Sequence, residues 1–369
     1  MKISAAVTRA VKSSMTIEQL ELKEPRADEI LVRLVATGVC HTDIAMRDQA
    51  YPVPQPIVLG HEGAGVVEAI GAGVSKVSPG DHVVMTYNSC GHCPCCIDDA
   101  ATYCHDFFGY NFAGGRPDGS SPISNDDGPI HGNFFGQSSF ATHSICHERN
   151  IVKVRDDAPL ELLGPLACGV QTGAGAIINV LEIGVGATLA VFGTGSVGLS
   201  GVMAARLMGA TTIIGIDLND DRLVLAKKLG CTHTINASGE NPVERIMEIT
   251  GTGVDFCFET TGAPAVIRQA MESLTLRGTC GIVGASPIGT EISLDVVHLM
   301  TAGRSIRGIV EGESNPDIFI PALIDLYMQG QFPFDKLITF YPFEDINQAI
   351  DDSESGKVLK SVVRMNNAE

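Results

Sequence analysis

Five of the chain's eleven cysteines lie within fifteen residues, CGHCPCCIDDAATYC, running from Cys90 to Cys104. Cys90, Cys93, Cys96 and Cys104 form the spacing C-x2-C-x2-C-x7-C. Two-residue gaps let neighbouring thiolates turn toward one centre, and four sulfurs complete a tetrahedron around zinc with no position left for water. Such a site is closed and structural. The same spacing also suits an iron-sulfur cluster or a zinc-ribbon interaction module. Cys95, flanked by two of the four, is expected to point away as a bystander.

A second set of ligand types is scattered: Cys40 in GVCHTD, His61 and Glu62 in LGHEGAG, and Cys168 in GPLACGVQTG. Two thiolates and an imidazole match the composition of an open catalytic zinc, whose fourth position takes water or substrate. No single member of this set is informative alone.

A third pattern is a phosphate cradle. VFGTGSVG places Gly193, Gly195 and Gly198 in the spacing G-x-G-x-x-G, after an apolar strand and at the start of a helix. The first glycine permits a tight turn, the second a close approach of backbone to pyrophosphate, and the third close packing of helix on strand. The next apolar strand, TIIGID, ends at Asp217, where a carboxylate accepts hydrogen bonds from a ribose diol and repels a 2′-phosphate. NAD is therefore expected over NADP, with Arg222 placed to contact the ribose as well.

The elements that carry these residues fall into two textures. The first 110 residues are rich in β-branched residues and turns (EILVRLVATGV, GAGVVEAIGAGV), as in an irregular barrel or sandwich. The Gly-, Pro- and Ser-rich run from Phe107 to Asn133 reads as a long surface loop. From about Gly169, apolar strands alternate with helices (TLAVFG, SVGLSGVMAARLMG, TIIGID, NDDRLVLAKKLG, VDFCFETTG, GTCGIVGA, RSIRGIV), the pattern of a parallel sheet covered on both faces. The division expected is 1–170, 171–309 and 310–369, the last returning to the first. At 369 residues, two domains are the natural expectation.

With 25 basic against 43 acidic side chains, the formal charge of −18 repels nucleic acid and anionic lipid. The uncharged stretch from Ile183 to Ala205 is interrupted by glycines and reads as buried strand and helix rather than a membrane span. The N-terminus has no apolar run of signal-peptide length. An odd cysteine count without a leader argues against a disulfide framework, so a cytoplasmic location is expected.

The motifs GVCHTD, GHEGAGVVEAIGAGV, GDHV, the four-cysteine block, CGVQTGAGA and GTGSVG occur in the order found in the zinc-dependent medium-chain alcohol dehydrogenases, which this chain resembles along nearly its whole length. CHTD, FFGQSSFATH, CGVQTGAGA and GIVEGES most resemble the aryl-alcohol (benzyl alcohol) dehydrogenase branch. The resemblance implies an α/β fold: a β-rich GroES-like catalytic domain holding two zinc sites, and a doubly wound Rossmann domain holding NAD. It implies a catalytic zinc on Cys40, His61 and Cys168, a structural zinc on the four clustered cysteines, and reversible oxidation of a primary alcohol to the aldehyde by hydride transfer. Thr42 matches the hydroxyl that takes the substrate proton, Asp43 the carboxylate orienting His61, and Glu62 the glutamate near the zinc. His41 and Lys360 match basic residues at the cofactor pyrophosphate. Thr172, Ser196 and Val197 join the glycines and Asp217 in contacting the cofactor. Ala45 departs from the family, since many relatives carry there a histidine that passes the proton to solvent.

Tyr87 and Phe140 are expected to line an apolar pocket, with Val283 and Ala285 nearby, suited to a ring or unsaturated chain. Terpenoid, allylic or aliphatic primary alcohols are the alternatives. A glutathione-dependent formaldehyde dehydrogenase is disfavoured because Phe108 stands where that branch carries an arginine. A zinc-bearing binding module without catalysis is disfavoured by the intact Cys40, Thr42, His61 and Cys168. Small-molecule partners and a homodimer or homotetramer are implied.

Overall fold

The structure is a computed structural model describing residues 1–365. The chain runs β1 (Lys2–Thr8), β2 (Thr16–Leu22), β3 (Glu29–Gly38), α1 (His41–Arg47), β4 (Ile57–Val58), β5 (Gly63–Ile70), β6 (His82–Met85), α2 (Pro94–Ile97), α3 (Phe107–Phe112), β7 (Ile123–Asn125), β8 (Gly128–Ile130), β9 (His143–His147) and β10 (Ile151–Lys153). Then come α4 (Gly169–Gly175), β11 (Thr188–Phe192), α5 (Ser196–Leu207), β12 (Thr212–Asp217), α6 (Asp220–Leu229), β13 (His233–Asn236), α7 (Pro242–Thr250), β14 (Val254–Glu259), α8 (Pro264–Glu272), β15 (Leu274–Ile282), α9 (Val296–Ala302) and β16 (Ser305–Gly308). The chain closes with α10 (Pro316–Met328), β17 (Ile338–Pro342), α11 (Ile346–Glu354) and β18 (Lys360–Arg364).

Two compact units result. The first comprises Met1–Cys168, Asn315–Met328 and Asp335 onward; the second comprises Gly169–Ser314 and Gln329–Phe334. The first division thus falls at Cys168, two residues before the expected 170. The return is also not one piece, because Val310–Ser314 stay with the second unit and the short run with buried Phe332 and Phe334 belongs there too.

In the first unit, β3 is the central strand. It pairs with β5, β9 and β18, and its alternate residues Ile30, Val32, Leu34 and Ala36 are buried, as a half-buried strand demands. The partial barrel runs β10-β6-β5-β3-β18-β17, beside a second sheet β4-β1-β2-β7-β8. The expected surface loop of residues 107–133 instead contains α3 and the β7/β8 hairpin. A buried charge pair anchors it: Arg116 grips Glu29 of β3 at 2.5 and 2.7 Å, with the arginine side chain 3% exposed.

In the second unit, six parallel strands take the order β13-β12-β11-β14-β15-β16, the doubly wound order in which the crossover lies between β11 and β14. Its inner strands β11, β12 and β14 are largely apolar and buried because helices cover both faces. The Ile183–Ala205 run resolves into β11 and the start of α5, and no described helix is long and apolar enough to cross a membrane.

The Arg116–Glu29 pair generates a prediction. Arg116→Met leaves a buried carboxylate without its partner and is expected to cost about 3–5 kcal/mol. Adding Glu29→Leu should recover much of that loss in thermal unfolding of the two variants.

Candidate active site

Cys40 lies between the end of β3 and the start of α1, His61 and Glu62 in the turn before β5, and Cys168 at the boundary of the first unit. One ligand atom from each of these four residues lies within 4.8 Å of the others. The residues come from three distant segments because β3 and β5 pair side by side, and because residues 164–168 pack onto them. A Cβ on Gly164 would stand 2.3 Å from the Glu62 carbonyl oxygen.

Asp43 orders the centre. Its Oδ2 accepts the Cys40 backbone N–H at 3.0 Å, while Oδ1 takes Gly60 N–H at 3.1 Å and the His61 Nδ1 at 2.8 Å. That fixes the imidazole tautomer and leaves His61 Nε2 buried without a partner. An orphaned nitrogen beside two thiols is what a metal ligand looks like before the metal is added. Hydrogen bonding with Cys168 holds the Cys40 thiol well below the ordinary range against the opposing effect of burial, and the charges of Lys360 and His61 add to this. Burial pulls the His61 pKa down, but the Asp43 carboxylate outweighs it and the net shift is upward.

Lys360, expected at the cofactor pyrophosphate, is bonded in this structure to Glu62. Its ammonium, 3% exposed, lies 2.6 Å from Glu62 Oε1 and 3.1 Å from the Val39 carbonyl oxygen. The cause is topological: β18 runs antiparallel to β3 and delivers its first residue to the end of β3 beside the cluster. Burial pushes Glu62 up to about 7, with Lys360 opposing. Burial works against the ammonium, yet Glu62, Cys40 and Cys168 together raise its pKa and keep it charged. Two thiolates and a carboxylate against one ammonium, −3 + 1, leave −2, which a divalent cation neutralises. The donor set therefore fits zinc in both softness and charge.

Thr42 is half-buried with Oγ1 3.7 Å from Cys40 Sγ, and His41 is exposed at the start of α1. Phe140 does not line a pocket. It is fully buried in the core and paired through its backbone with Leu59 and Ala6. Tyr87 is likewise buried, its ring 6.0 Å from that of Phe107.

The rings that reach the cluster are ones the sequence did not single out. Phe135 stacks on His61 at 4.5 Å and 29°, and Phe134 meets the same imidazole edge-on at 5.7 Å. Phe135 has φ of +50°, unusual for a bulky side chain, and Asn133 at +58° and Ser138 at +61° lie in the same left-handed region of the turn. Buried Gln137 holds the turn down: Oε1 accepts Gly63 N–H, and Nε2 lies 3.0–3.2 Å from the carbonyl oxygens of His61, Met85 and Thr86. FFGQSS had stood out only as a subgroup marker.

The four clustered cysteines also converge, with Cys90 and Cys96 sulfurs 3.8 Å apart and Cys93 and Cys96 3.5 Å apart. A tetrahedron with zinc–sulfur bonds of about 2.3 Å has edges of about 3.8 Å. Backbone N–H groups of His105 and Cys96 hold the Cys93 thiol down at about 6, and burial pushes Cys104 up to about 12. Cys95 is not among the four.

In the second unit, Gly193 has φ of +92°, and a Cβ on Gly198 would stand 1.9 Å from the Gly193 carbonyl oxygen, so the turn admits no side chain at either place. A Cβ on Gly195 would meet nothing, which leaves room for a ligand where Ser196 and Val197 open α5. Asp217 already accepts four donors: Thr194 N–H and Oγ1 on one oxygen, Leu218 and Asn219 N–H on the other. Arg222 reaches toward this carboxylate at 3.9 Å. Thr172 lies half-buried on α4, bonded to Glu311, a residue whose part here the sequence reading did not foresee.

Comparison with known proteins agrees with this geometry. Residues 26–156 match the alcohol dehydrogenase GroES-like domain and residues 196–327 the zinc-binding dehydrogenase domain. The geraniol dehydrogenase of Castellaniella defragrans is 45% identical over 97% of this chain and 96% of its own. The S-(hydroxymethyl)glutathione dehydrogenase of Paracoccus denitrificans is 38% identical over 98% of this chain and 100% of its own. The crystal structure of benzyl alcohol dehydrogenase from Acinetobacter calcoaceticus superposes with a TM-score of 0.97 at 46% identity, covering 99% of each chain. With both domains matched and likeness extending along its length, the chain belongs to the zinc-dependent medium-chain alcohol dehydrogenase family.

Proposed function

We propose that this enzyme oxidises primary alcohols of the benzyl type to aldehydes, reversibly, with NAD. The observation that carries the reading is the pair of rings, Phe134 and Phe135, packed against the imidazole of His61. Phe134, fully buried, and Phe135, 4% exposed, surround that one polar centre with aromatic surface, an environment that favours an apolar, unsaturated substrate. The names of the relatives support it too: benzyl alcohol and geraniol both carry the reacting carbon next to an unsaturated one, so allylic terpenoid alcohols are the second reading. Phe108, 68% exposed at the position of the arginine in the glutathione-dependent branch, disfavours a glutathione adduct.

Cys40, His61 and Cys168 would hold the catalytic zinc, and Cys90, Cys93, Cys96 and Cys104 a structural one. Bound zinc supplies Lewis acidity that lowers the pKa of an alcohol hydroxyl, and a nicotinamide supplies the hydride acceptor. The chain's own side chains then do the positioning. Asp43 keeps the His61 imidazole oriented, Thr42 Oγ1 receives the hydroxyl proton, and Phe134 and Phe135 exclude water. With Ala45 in place of a histidine, solvent completes the proton's exit. Asp217 accepts the adenosine ribose by sharing oxygens already aligned by Thr194. The eleven cysteines form no disulfide, which suits a reducing cytoplasm. A second copy would pair along β16, an exposed edge strand carrying Ile306.

Three outcomes are expected. Cys40→Ser should abolish turnover and lower zinc from two to one per chain by atomic absorption, without unfolding; loss of both metals would show that the sites are not independent. Asp217→Gly should raise the Michaelis constant for NAD about tenfold or more, through loss of charge-assisted hydrogen bonds, and narrow the preference over NADP; unchanged constants for both would remove Asp217 from the ribose. In a screen of benzyl, cinnamyl, geranyl, aliphatic and polyol substrates, kcat/KM should be highest for benzyl alcohol, and a maximum among saturated aliphatic alcohols would refute the substrate class.

A further inference from the structure

Residues of the first unit enclose a polar cavity of about 180 Å³, with room for roughly six waters or one small ligand. No residue of the Cys40–His61–Cys168 cluster or of the four-cysteine block lines it. Arg26, Arg116 and Arg149 do, in a chain that carries 43 acidic against 25 basic side chains. Three guanidinium groups gathered against that balance call for negative partners.

Two of the three have one. Arg116 is held by Glu29, and Arg26 donates to Asp118 Oδ2 at 2.8 Å and to Ser120 Oγ at 2.9 Å. Arg149 pairs with no carboxylate among the described residues: its Nε donates to the Ser89 carbonyl oxygen at 3.1 Å, and both terminal nitrogens remain unused. The other acid on the cavity wall does not serve them. Asp28 is exposed and takes the imidazole of His147, whose Nε2 lies 3.2 Å away. His147 Nδ1 accepts the Arg149 backbone N–H at 3.0 Å, so this imidazole is neutral and brings its one proton to Asp28.

Further donors border the same space. Buried Arg116 spends Nε and Nη2 on Glu29 and keeps Nη1 in reserve. The Tyr110 hydroxyl, half-buried on α3, has no protein partner among the described residues; burial raises its pKa against the charge of nearby Arg149, so it stays protonated. The two terminal nitrogens of Arg149 form a planar fork that suits two oxygens of one anion, and Arg116 Nη1 and the Tyr110 hydroxyl suit its remaining oxygens. A cation would find both wall carboxylates already engaged, and an apolar ligand would strip water from charged groups without replacing its hydrogen bonds.

We propose that this cavity binds a small oxyanion of the phosphate class, held by the Arg149 fork, Arg116 and Tyr110. It is a second ligand site, independent of the alcohol chemistry. Its occupant ties α3 to the connection between β9 and β10, which Arg149 already joins to Ser89 beside Cys90.

The test is calorimetric titration of the zinc-loaded enzyme with inorganic phosphate and with glycerol 3-phosphate, at constant ionic strength against a chloride control. Saturating NADH is present throughout, so that the glycine cradle before α5 is filled. Phosphate should bind once per chain with a Kd of about 1 mM or tighter. Arg149→Gln should weaken it about tenfold or more, through loss of charge-assisted hydrogen bonds, and Tyr110→Phe about threefold to tenfold, each with the zinc content of the wild type. Glycerol 3-phosphate binding as tightly as phosphate assigns the terminal phosphate of an ester as an occupant, whereas binding of phosphate alone assigns the free ion. Heat no greater than with chloride, or an unchanged affinity in either variant, overturns the proposal. Should Arg149→Gln lose zinc, Tyr110→Phe decides, because that hydroxyl holds nothing in the protein.

Discussion

Burying three acidic groups in one small volume is the constraint on which the first unit depends. Cys40, Cys168 and Glu62 converge where water is excluded, and like charges so placed would drive one another to take up protons. Lys360 offsets one charge, and a divalent metal offsets the other two. The ammonium can be there only because the chain returns as β18 against β3, and Glu62 can meet it only because Gly38 has no side chain: a Cβ there would stand 1.9 Å from Glu62 Oε2. Topology, a glycine and charge balance are thus one arrangement. Removing any part leaves a buried charge without its partner, which costs far more than the pair contributes.

Around this centre the backbone is held in conformations that side chains ordinarily avoid. Phe135 and Ser138 lie in the left-handed region beside His61, and Glu311 and Glu313 do so in the second unit. In both places a buried amide or carboxylate secures the turn, Gln137 in one and Glu311 in the other. Strain of this kind persists where a precise placement of a ring or a hydrogen bond is worth its cost.

Much of this was legible in the sequence. The four cysteines announce themselves because local chain spacing alone brings them together, and the Gly193-Gly195-Gly198 turn because a strand, a tight turn and a helix are local events. The parallel sheet followed from its apolar strands. Cys40, His61 and Cys168 were legible only through the resemblance, since no local spacing joins them. The segment 107–133 misled because its Gly, Pro and Ser content hides a helix, a hairpin and a buried Arg116–Glu29 pair formed with a strand some eighty residues away.

By itself, then, the sequence determined the ligand types, the phosphate cradle and the order of strands and helices, all of which depend on short-range periodicity and chain stiffness. The tertiary structure alone decided that Lys360 pairs with Glu62, that Phe140 belongs to the core while Phe134 and Phe135 meet the imidazole, and that Thr172 donates to Glu311. Each of those outcomes depends on which strand lies beside which and on the sign of a few φ angles. Contacts between residues seventy or more positions apart carry no local signature, so they become visible only when the chain has closed on itself.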